Sequence, residues 1–250
     1  MKVIVDDLAV NYELKGKGDR LILMLHGWGD SLTSFHDLVI DLMPENMVVA
    51  LDLPGFGATE APHEVWDLDN YSSFVADFLA KLKLKPDVVM GHSNGGALAI
   101  RAISLGKINP NKLVLLASSG IRDGQKGKRA ITKAVAKAGK ATTFWLPEQK
   151  KNNLRQKLYG TIGSDMLVVP RLQETFKRTV RQDVQADAKK LNLPTLLVFA
   201  DKDPAIPISD AHKYNELIKG SILEVLKSDN HFIHQDQPGK IAALIQEFIS

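Results

Sequence analysis

Short apolar runs recur along this chain at intervals that leave room for a helix between them. Each run is four to six residues long and consists almost entirely of aliphatic residues, Phe or Ala. Such runs are typical of strands that are buried on both faces of a parallel sheet. They occupy residues 21–25, 47–51, 87–90, 112–117 and 195–199, with a weaker run at 221–226 and an alternating, edge-like strand at 10–14.

Helical periodicity fills the intervals between these runs. Apolar residues recur at helical spacing in 71–82, 96–105, 210–218 and 240–249. Strands that alternate with helices in this way predict a doubly wound α/β fold, in which a mostly parallel, twisted sheet is flanked by helices.

The segment 121–190 interrupts the alternation. It has helical patterns at 128–142, 148–159 and 171–191 and no convincing strand. It also carries 17 Lys and Arg residues against 6 Asp and Glu, whereas the rest of the chain carries 15 against 23. We therefore predict an α/β core at 1–120 and 191–250 with an inserted helical cap, or lid, at 121–190. We expect the cations of the cap to face solvent, with attraction of anionic substrates and contact with acidic membrane surfaces as alternatives.

Missing residue types and motifs exclude several classes of function. The chain has no cysteine, so disulfides, thiolate metal sites and cysteine nucleophiles are excluded. It has no P-loop and no dinucleotide-binding glycine pattern, and the set His231, His234 and Asp236 has too few well-spaced ligands for a metal. No run approaches the roughly 18 apolar residues of a membrane-spanning helix, and the first residues do not form a signal peptide. The basic segment lacks the interleaved aromatic residues of a nucleic-acid surface. We predict a cytoplasmic protein that uses no metal or other cofactor and does not bind nucleic acid.

The strongest local motif is Gly91-His92-Ser93-Asn94-Gly95, a G-x-S-x-G sequence that follows a predicted strand and precedes a predicted helix. In this context the motif forms a tight strand-to-helix turn, in which glycines leave room for the neighbouring strand and helix. The turn exposes the serine hydroxyl at the carboxyl edge of the sheet, beside the N–H groups that begin the helix. Ser93 is therefore the candidate nucleophile.

A serine nucleophile needs a base, and the base needs an acid that orients it. Of the seven histidines, His36, His63 and His212 have no partner pattern, and His92 within the turn would point away from the serine hydroxyl. His231 and His234, just past the last predicted strand, remain as candidate bases. Asp201 and Asp203 both follow the run at 195–199, so local geometry leaves the choice of acid between them open.

Four motifs in chain order make the sequence resemble the α/β-hydrolase fold superfamily, and within it the serine esterase, lipase and haloperoxidase-like group. They are His26-Gly-Trp-Gly29, Asp52-Leu-Pro-Gly-Phe-Gly57, the serine turn at 91–95, and the pair Asp203 and His231 near the end. The resemblance spans about residues 10–249 and includes a cap at the position where this family has one. We expect the second motif to be a structural turn rather than a catalytic element.

The resemblance implies which acid and which base are used. The family pattern G-x-x-D-x-x-x-P falls on 200–207 and selects Asp203, with alanine in place of the first glycine. The pattern G-H-x-x-x-x-E-x-P selects His231 over His234, with Asn230 in place of its glycine. Asparagine can adopt the left-handed backbone conformation that a glycine would supply there.

The resemblance also implies an oxyanion hole and a reaction. Backbone N–H groups of Trp28 and Asn94 fall at the oxyanion positions. The implied function is cleavage of a small carboxylic ester, thioester or lactone by a Ser93–His231–Asp203 acyl-enzyme mechanism, a carboxylesterase-like activity on a small acyl substrate. Cleavage of a carbon–carbon bond in a vinylogous diketone, and ligand reception without turnover, remain alternatives.

Overall fold

The computed structural model of the chain describes residues 1–122 and 170–250, leaving out the side chains of residues 170 and 171. The helices predicted at 128–142 and 148–159, and with them most of the predicted cap, lie outside the described residues. The described strands are β1 (Lys2–Val5), β2 (Leu8–Lys15), β3 (Leu21–Leu25), β4 (Met47–Leu51), β5 (Val88–His92), β6 (Lys112–Leu116), β7 (Thr195–Ala200) and β8 (Ile222–Leu226). The described α-helices are α1 (His36–Leu42), α2 (Leu68–Leu82), α3 (Asn94–Ser104), α4 (Pro170–Thr179), α5 (Gln185–Ala188), α6 (Ile208–Leu217), α7 (Ile233–Asp236) and α8 (Pro238–Ile249).

The eight strands form one sheet in the order β1-β2-β4-β3-β5-β6-β7-β8. The pairs β1–β2 and β2–β4 are antiparallel, and the other neighbouring strands are parallel. The predicted apolar runs form the five central strands of this sheet, so the predicted α/β class is confirmed. Because parallel strands end at the same edge, the residues that follow β3, β5, β7 and β8 are brought to one side of the molecule.

Each face of the sheet is covered by its own hydrophobic core, as a strand buried on both faces requires. In β3, Leu21, Leu23 and Leu25 point into the core that contains α2, α3 and α6. Ile22 and Met24 point into the opposite core, which contains α1 and α8. No helix among the described residues is both long enough and apolar enough to cross a bilayer.

The prediction of one continuous helix at 171–191 is wrong, because the segment forms two helices, α4 and α5. At the break, Asp183 Oδ1 accepts a hydrogen bond from the Gln185 N–H at 2.7 Å, and its Oδ2 accepts from the Arg122 N–H at 3.2 Å. An aspartate that binds nearby backbone N–H groups offers the chain an alternative to helix continuation. The same contact ties the described start of the predicted cap, at Arg122, to its described end.

Candidate active site

Ser93 lies in the turn between β5 and α3, with a backbone φ of 51° and ψ of −117°. A positive φ is unusual for a residue with a side chain and costs about 1–3 kcal/mol. Two backbone hydrogen bonds hold the residue there: Ser93 N–H donates to Leu116 O and Ser93 O accepts from Ser119 N–H, both at 3.0 Å. The strained turn is therefore fixed by β6 and by the residues that follow it.

The glycines of the serine turn are sterically required. A Cβ atom at Gly91 would lie 2.4 Å from the carbonyl oxygen of Gly95. A Cβ atom at Gly95 would lie 2.1 Å from the carbonyl oxygen of Leu25, the last residue of β3. The first glycine of the motif lets α3 begin directly over β5, and the second lets it pack against β3.

A continuous chain of hydrogen bonds links the three predicted catalytic side chains. Ser93 Oγ lies 2.9 Å from His231 Nε2, and His231 Nδ1 lies 2.7 Å from Asp203 Oδ2. A carboxylate can only accept, so Nδ1 carries the imidazole proton and Nε2 presents its lone pair to the serine hydroxyl. The His231 side chain is 16% exposed and that of Asp203 is fully buried. Ser93 can thus pass its proton to His231, whose other ring nitrogen is held by a hydrogen bond to Asp203.

The structure distinguishes Asp203 from Asp201. The second carboxylate oxygen of Asp203 accepts the backbone N–H groups of Ala205 at 2.7 Å and Ile206 at 2.9 Å, which fixes the carboxylate in its loop. Asp201 is exposed, and its Oδ1 accepts instead from Ser228 N–H at 3.0 Å. Asp201 therefore joins the loops after β7 and β8, while Asp203 contacts the imidazole.

The loop that carries His231 is built differently from the expectation for Asn230. Asn230 is not among the residues with positive φ, so it does not use the left-handed conformation that is open to asparagine. Its side-chain oxygen accepts the Phe232 N–H at 2.9 Å, and its own N–H donates to Ser228 Oγ at 3.0 Å. This side-chain-to-backbone turn, which glycine could not make, bends the chain before His231.

The two predicted oxyanion donors come from the helix that follows Ser93 and from the turn after β3. Asn94 is the first residue of α3 and directly follows Ser93, so its N–H has no acceptor one turn earlier in the helix. Trp28 lies in the turn after β3, and a Cβ atom at the adjacent Gly27 would be 3.1 Å from Ser93 Cβ. The turn after β3 therefore comes within contact distance of the serine.

His26 supports this turn rather than joining the catalytic groups. Its Nε2 accepts the Leu53 N–H at 2.9 Å, so its Nδ1 carries the proton and donates to Gly27 O at 2.8 Å. Burial lowers the pKa of His26, which keeps the ring neutral for both bonds. The Asp52 carboxylate likewise accepts from Leu32 N–H and Ala58 N–H, which agrees with a structural role for the second motif.

An aromatic wall beside the turn after β3 was not predicted from the sequence. The Trp28 ring centroid lies 4.8 Å from that of Phe56 and 5.1 Å from that of Phe176. Phe176 belongs to α4, in the predicted cap, and Phe56 to the loop after β4. No periodicity connects these three positions, so only the fold reveals that they meet.

One group of possible metal ligands occurs among the described residues, and it is not the set considered from the sequence. Asp30, His92 and His234 each offer an atom that lies within 4.8 Å of the other two. His231 is engaged with Ser93 and Asp203, and Asp236 accepts from Ser228 Oγ at 2.7 Å. The set His231, His234 and Asp236 therefore does not form a site.

Comparison with known proteins shows which family the chain belongs to. The model of the alpha/beta hydrolase family matches residues 22–244, which is most of the chain. The protein belongs to the alpha/beta hydrolase family. This hydrolase is similar to the uncharacterized hydrolase YugF of Bacillus subtilis, with 25% identity over 264 aligned positions that cover 98% of this chain and 96% of YugF.

Two further proteins are similar to this hydrolase. It is 24% identical to the 2-hydroxy-6-oxo-2,4-heptadienoate hydrolase of Pseudomonas putida, over 99% of this chain and 95% of that one. Its structure matches that of an esterase from Exiguobacterium antarcticum with a TM-score of 0.77 and 20% identity, covering 100% of this chain and 99% of the esterase. At that identity the structural match concerns the fold alone.

Proposed function

We propose that this α/β hydrolase cleaves small carboxylic esters through an acyl-enzyme formed on Ser93. The observation that carries the proposal is the hydrogen-bond chain from Ser93 Oγ to His231 Nε2, at 2.9 Å, and from His231 Nδ1 to Asp203 Oδ2, at 2.7 Å. Such a chain turns a weakly nucleophilic hydroxyl into one whose proton has an acceptor in place.

Acylation follows from the position of each proton. His231 Nε2 takes the Ser93 proton as Oγ bonds to the substrate carbonyl carbon, and the carbonyl oxygen becomes an oxyanion. The backbone N–H groups of Trp28 and Asn94 donate to that oxyanion. The imidazolium, stabilised by the Asp203 carboxylate, then gives the proton to the alcohol oxygen as the C–O bond breaks.

Deacylation repeats these steps with water as the nucleophile. His231 takes a proton from water, the resulting oxygen attacks the acyl carbon, and the same proton returns to Ser93 Oγ as the acid leaves. No redox equivalent or metal enters the balance. The aromatic rings of Trp28, Phe56 and Phe176 would give the substrate an apolar wall beside this centre.

The test is turnover of p-nitrophenyl butyrate by wild type and by Ser93→Ala. We expect hydrolysis by the wild type and a loss of three or more orders of magnitude in kcat for the variant, on the order found when a serine of this kind is removed. His212→Ala, at an exposed histidine of α6, is the control and should match wild type. A wild type that binds the ester without turnover would overturn the proposal in favour of ligand reception.

A second candidate is hydrolysis of a carbon–carbon bond, and the similarity to the Pseudomonas putida hydrolase over 99% of the chain favours it. The same three side chains could serve that reaction, so geometry does not separate the two. The two functions are distinguished by comparing kcat/KM for 2-hydroxy-6-oxo-2,4-heptadienoate with kcat/KM for the butyrate ester. We expect the ester to be preferred, and a higher value for the dienoate would replace our proposal with the second candidate.

A further inference from the structure

Behind the catalytic histidine lies a group of three polar side chains, Asp30, His92 and His234, to which the reaction above gives no role. His92 and His234 are each 1% exposed, and their ring centroids are 4.4 Å apart. Asp30 approaches from the turn after β3. Four atoms of this group, Asp30 Oδ2, His92 Nδ1 and both ring nitrogens of His234, are buried without a hydrogen-bond partner among the described residues. Buried polar atoms are rarely left in that state, because each costs about 1–3 kcal/mol.

His92 connects this group to the reacting atoms. Its Nε2 lies 3.1 Å from the backbone carbonyl oxygen of His231, and its ring centroid lies 4.8 Å from that of His231. The carbonyl oxygen can only accept, so His92 Nε2 must carry the proton of that ring. His92 thus contacts both the backbone carbonyl and the ring of His231, the residue that takes the proton from Ser93.

The group has fewer N–H groups than lone pairs that need a hydrogen bond. Burial, and then the neighbouring His234 and His231, lower the pKa of His92 well below its ordinary value, and burial together with His231 lowers that of His234 to about 3. Both rings are then neutral, and with Nε2–H of His92 already used, His234 supplies the one remaining N–H. Three lone pairs remain, on Asp30 Oδ2, His92 Nδ1 and the second nitrogen of His234, and the last of these cannot accept from its own ring. The group needs a ligand that donates hydrogen bonds or accepts lone pairs.

A metal ion and a water molecule hold their partners at different spacings. Ligands about 2.1 Å from a tetrahedral metal ion are held about 3.4 Å apart, whereas partners of a water at about 2.8 Å are about 4.6 Å apart. One atom from each of the three residues lies within 4.8 Å of the other two, so a single water can contact all three. A water donating to His92 Nδ1 and Asp30 Oδ2, and accepting the N–H of His234, satisfies three residues at once.

We propose that Asp30, His92 and His234 bind a single water molecule, and that this water keeps His92 in the tautomer that positions His231 over Ser93. His92 is then a positioning residue, because it acts through the His231 backbone and touches no reacting atom. The Nδ1 edge of His92 faces the turn that carries Asp30, since a Cβ atom at Gly27 would be 3.1 Å from Nδ1. The catalytic part of this proposal rests on the proposed function, whereas the tautomer does not.

The first test compares His92→Gln with His92→Leu, using His212→Gln on the exposed face of α6 as the matched control. The amide nitrogen of glutamine can reach the position of His Nε2 and donate to His231 O, whereas leucine cannot. With kcat normalised to the fraction of protein that reacts with a fluorophosphonate, we expect His92→Leu to lose about 10- to 100-fold in kcat. KM should change less than about threefold, and glutamine should restore kcat to within about fivefold of wild type. Equal kcat for the leucine and glutamine variants would overturn the positioning role.

The second test needs no activity and no variant. Long-range ¹H–¹⁵N correlation spectra of the labelled wild-type protein report which nitrogen of each histidine carries its proton. His26, His231, His234 and Asp30 are the titratable groups around His92, and we expect His92 to stay neutral and protonated on Nε2 from pH 5.5 to 8.5. A proton on Nδ1, or a doubly protonated ring, would overturn the proposal even if the protein hydrolyses no ester. Stoichiometric zinc in the purified protein that is lost in His234→Phe would overturn the water in favour of a metal.

Discussion

Asp203→Asn has a consequence that follows directly from the hydrogen bonds around the carboxylate. Oδ1 accepts the N–H groups of Ala205 and Ile206, at 2.7 and 2.9 Å, so this position must remain an oxygen in the variant. The amide nitrogen then takes the place of Oδ2, 2.7 Å from His231 Nδ1 in the wild type. Two N–H groups cannot face each other, so His231 must move its proton to Nε2. In that tautomer Nε2 cannot accept the proton of Ser93.

The magnitude can be worked from these contacts. The active tautomer in the variant loses a hydrogen bond to a charged group, which is worth about 1.5–3 kcal/mol, and gains an unsatisfied buried donor, which costs about 1–3 kcal/mol. Together these place the active tautomer about 2.5–6 kcal/mol higher. Since each 1.36 kcal/mol is a factor of ten in rate, kcat should fall on the order of 10²- to 10⁴-fold.

The assay is kcat for p-nitrophenyl butyrate, normalised to the concentration of reactive serine. Asp201→Asn is the matched control, since Asp201 is two residues away and exposed, and its Oδ1 accepts from Ser228 N–H in the loop after β8. It should stay within about threefold of wild type. The reasoning is refuted if Asp203→Asn retains more than a tenth of wild-type kcat. Asp123, which follows the apolar run at 112–117 and lies outside the described residues, is the alternative acid, and a comparable loss in Asp123→Asn alone would move the role there.

Three further predictions concern the base, acid stability and salt. Ser93→Ala and His231→Ala should each lower kcat by several orders of magnitude and their double variant little more, because the groups act as a unit. His234→Phe should stay within about tenfold, and the reverse ranking of the two histidines would contradict the assignment. Burial lowers the pKa of His234 from 6.5 to about 3, so in that pH window the unfolded chain binds a proton that the folded chain does not. The free energy of unfolding should therefore decrease as the pH falls through this window, by up to about 1.4 kcal/mol per pH unit. Denaturation profiles of His234→Phe should show a weaker dependence on pH, and the same dependence as in wild type would contradict the prediction. For a cap whose cations face solvent, kcat/KM for a neutral and an anionic ester of equal length should respond to salt in parallel, and selective slowing of the anionic ester would indicate steering instead.

The sequence predicted the parts of the fold that local pattern controls. Strands buried on both faces, such as β3 and β6, appear as unbroken apolar runs, and the structure has them within one or two residues of the predicted bounds. β1 was missed because it lies at the sheet edge with Ile4 exposed, so it has no such run. α1 has only seven residues, too few for a helical period to stand out. α2 begins three residues before the predicted start, because Asp67 caps it.

Some residues of the candidate site could likewise be predicted from local sequence, and others could not. Ser93 could be identified from its own motif, because the glycines needed by the turn are its neighbours in sequence. The choice of Asp203 over Asp201 depended on a family resemblance, since only the folded loop shows which carboxylate is turned toward His231. The group of Asp30, His92 and His234 could not be predicted, because its members come from the turn after β3, the end of β5 and α7, which are distant in sequence. Proton balance in such a group depends on distances that no spacing in the chain encodes.

The central claim is that Ser93 is the nucleophile, and irreversible labelling tests it most directly. The protein would be incubated with a fluorophosphonate, which is attacked by an activated serine and leaves a stable phosphonyl ester. We predict one adduct per chain, located by peptide mass spectrometry on Ser93, with esterase activity lost in proportion to labelling. His231→Ala should label at least a hundredfold more slowly. An active enzyme that remains unlabelled at Ser93, or that loses activity through an adduct on another residue, would contradict the account.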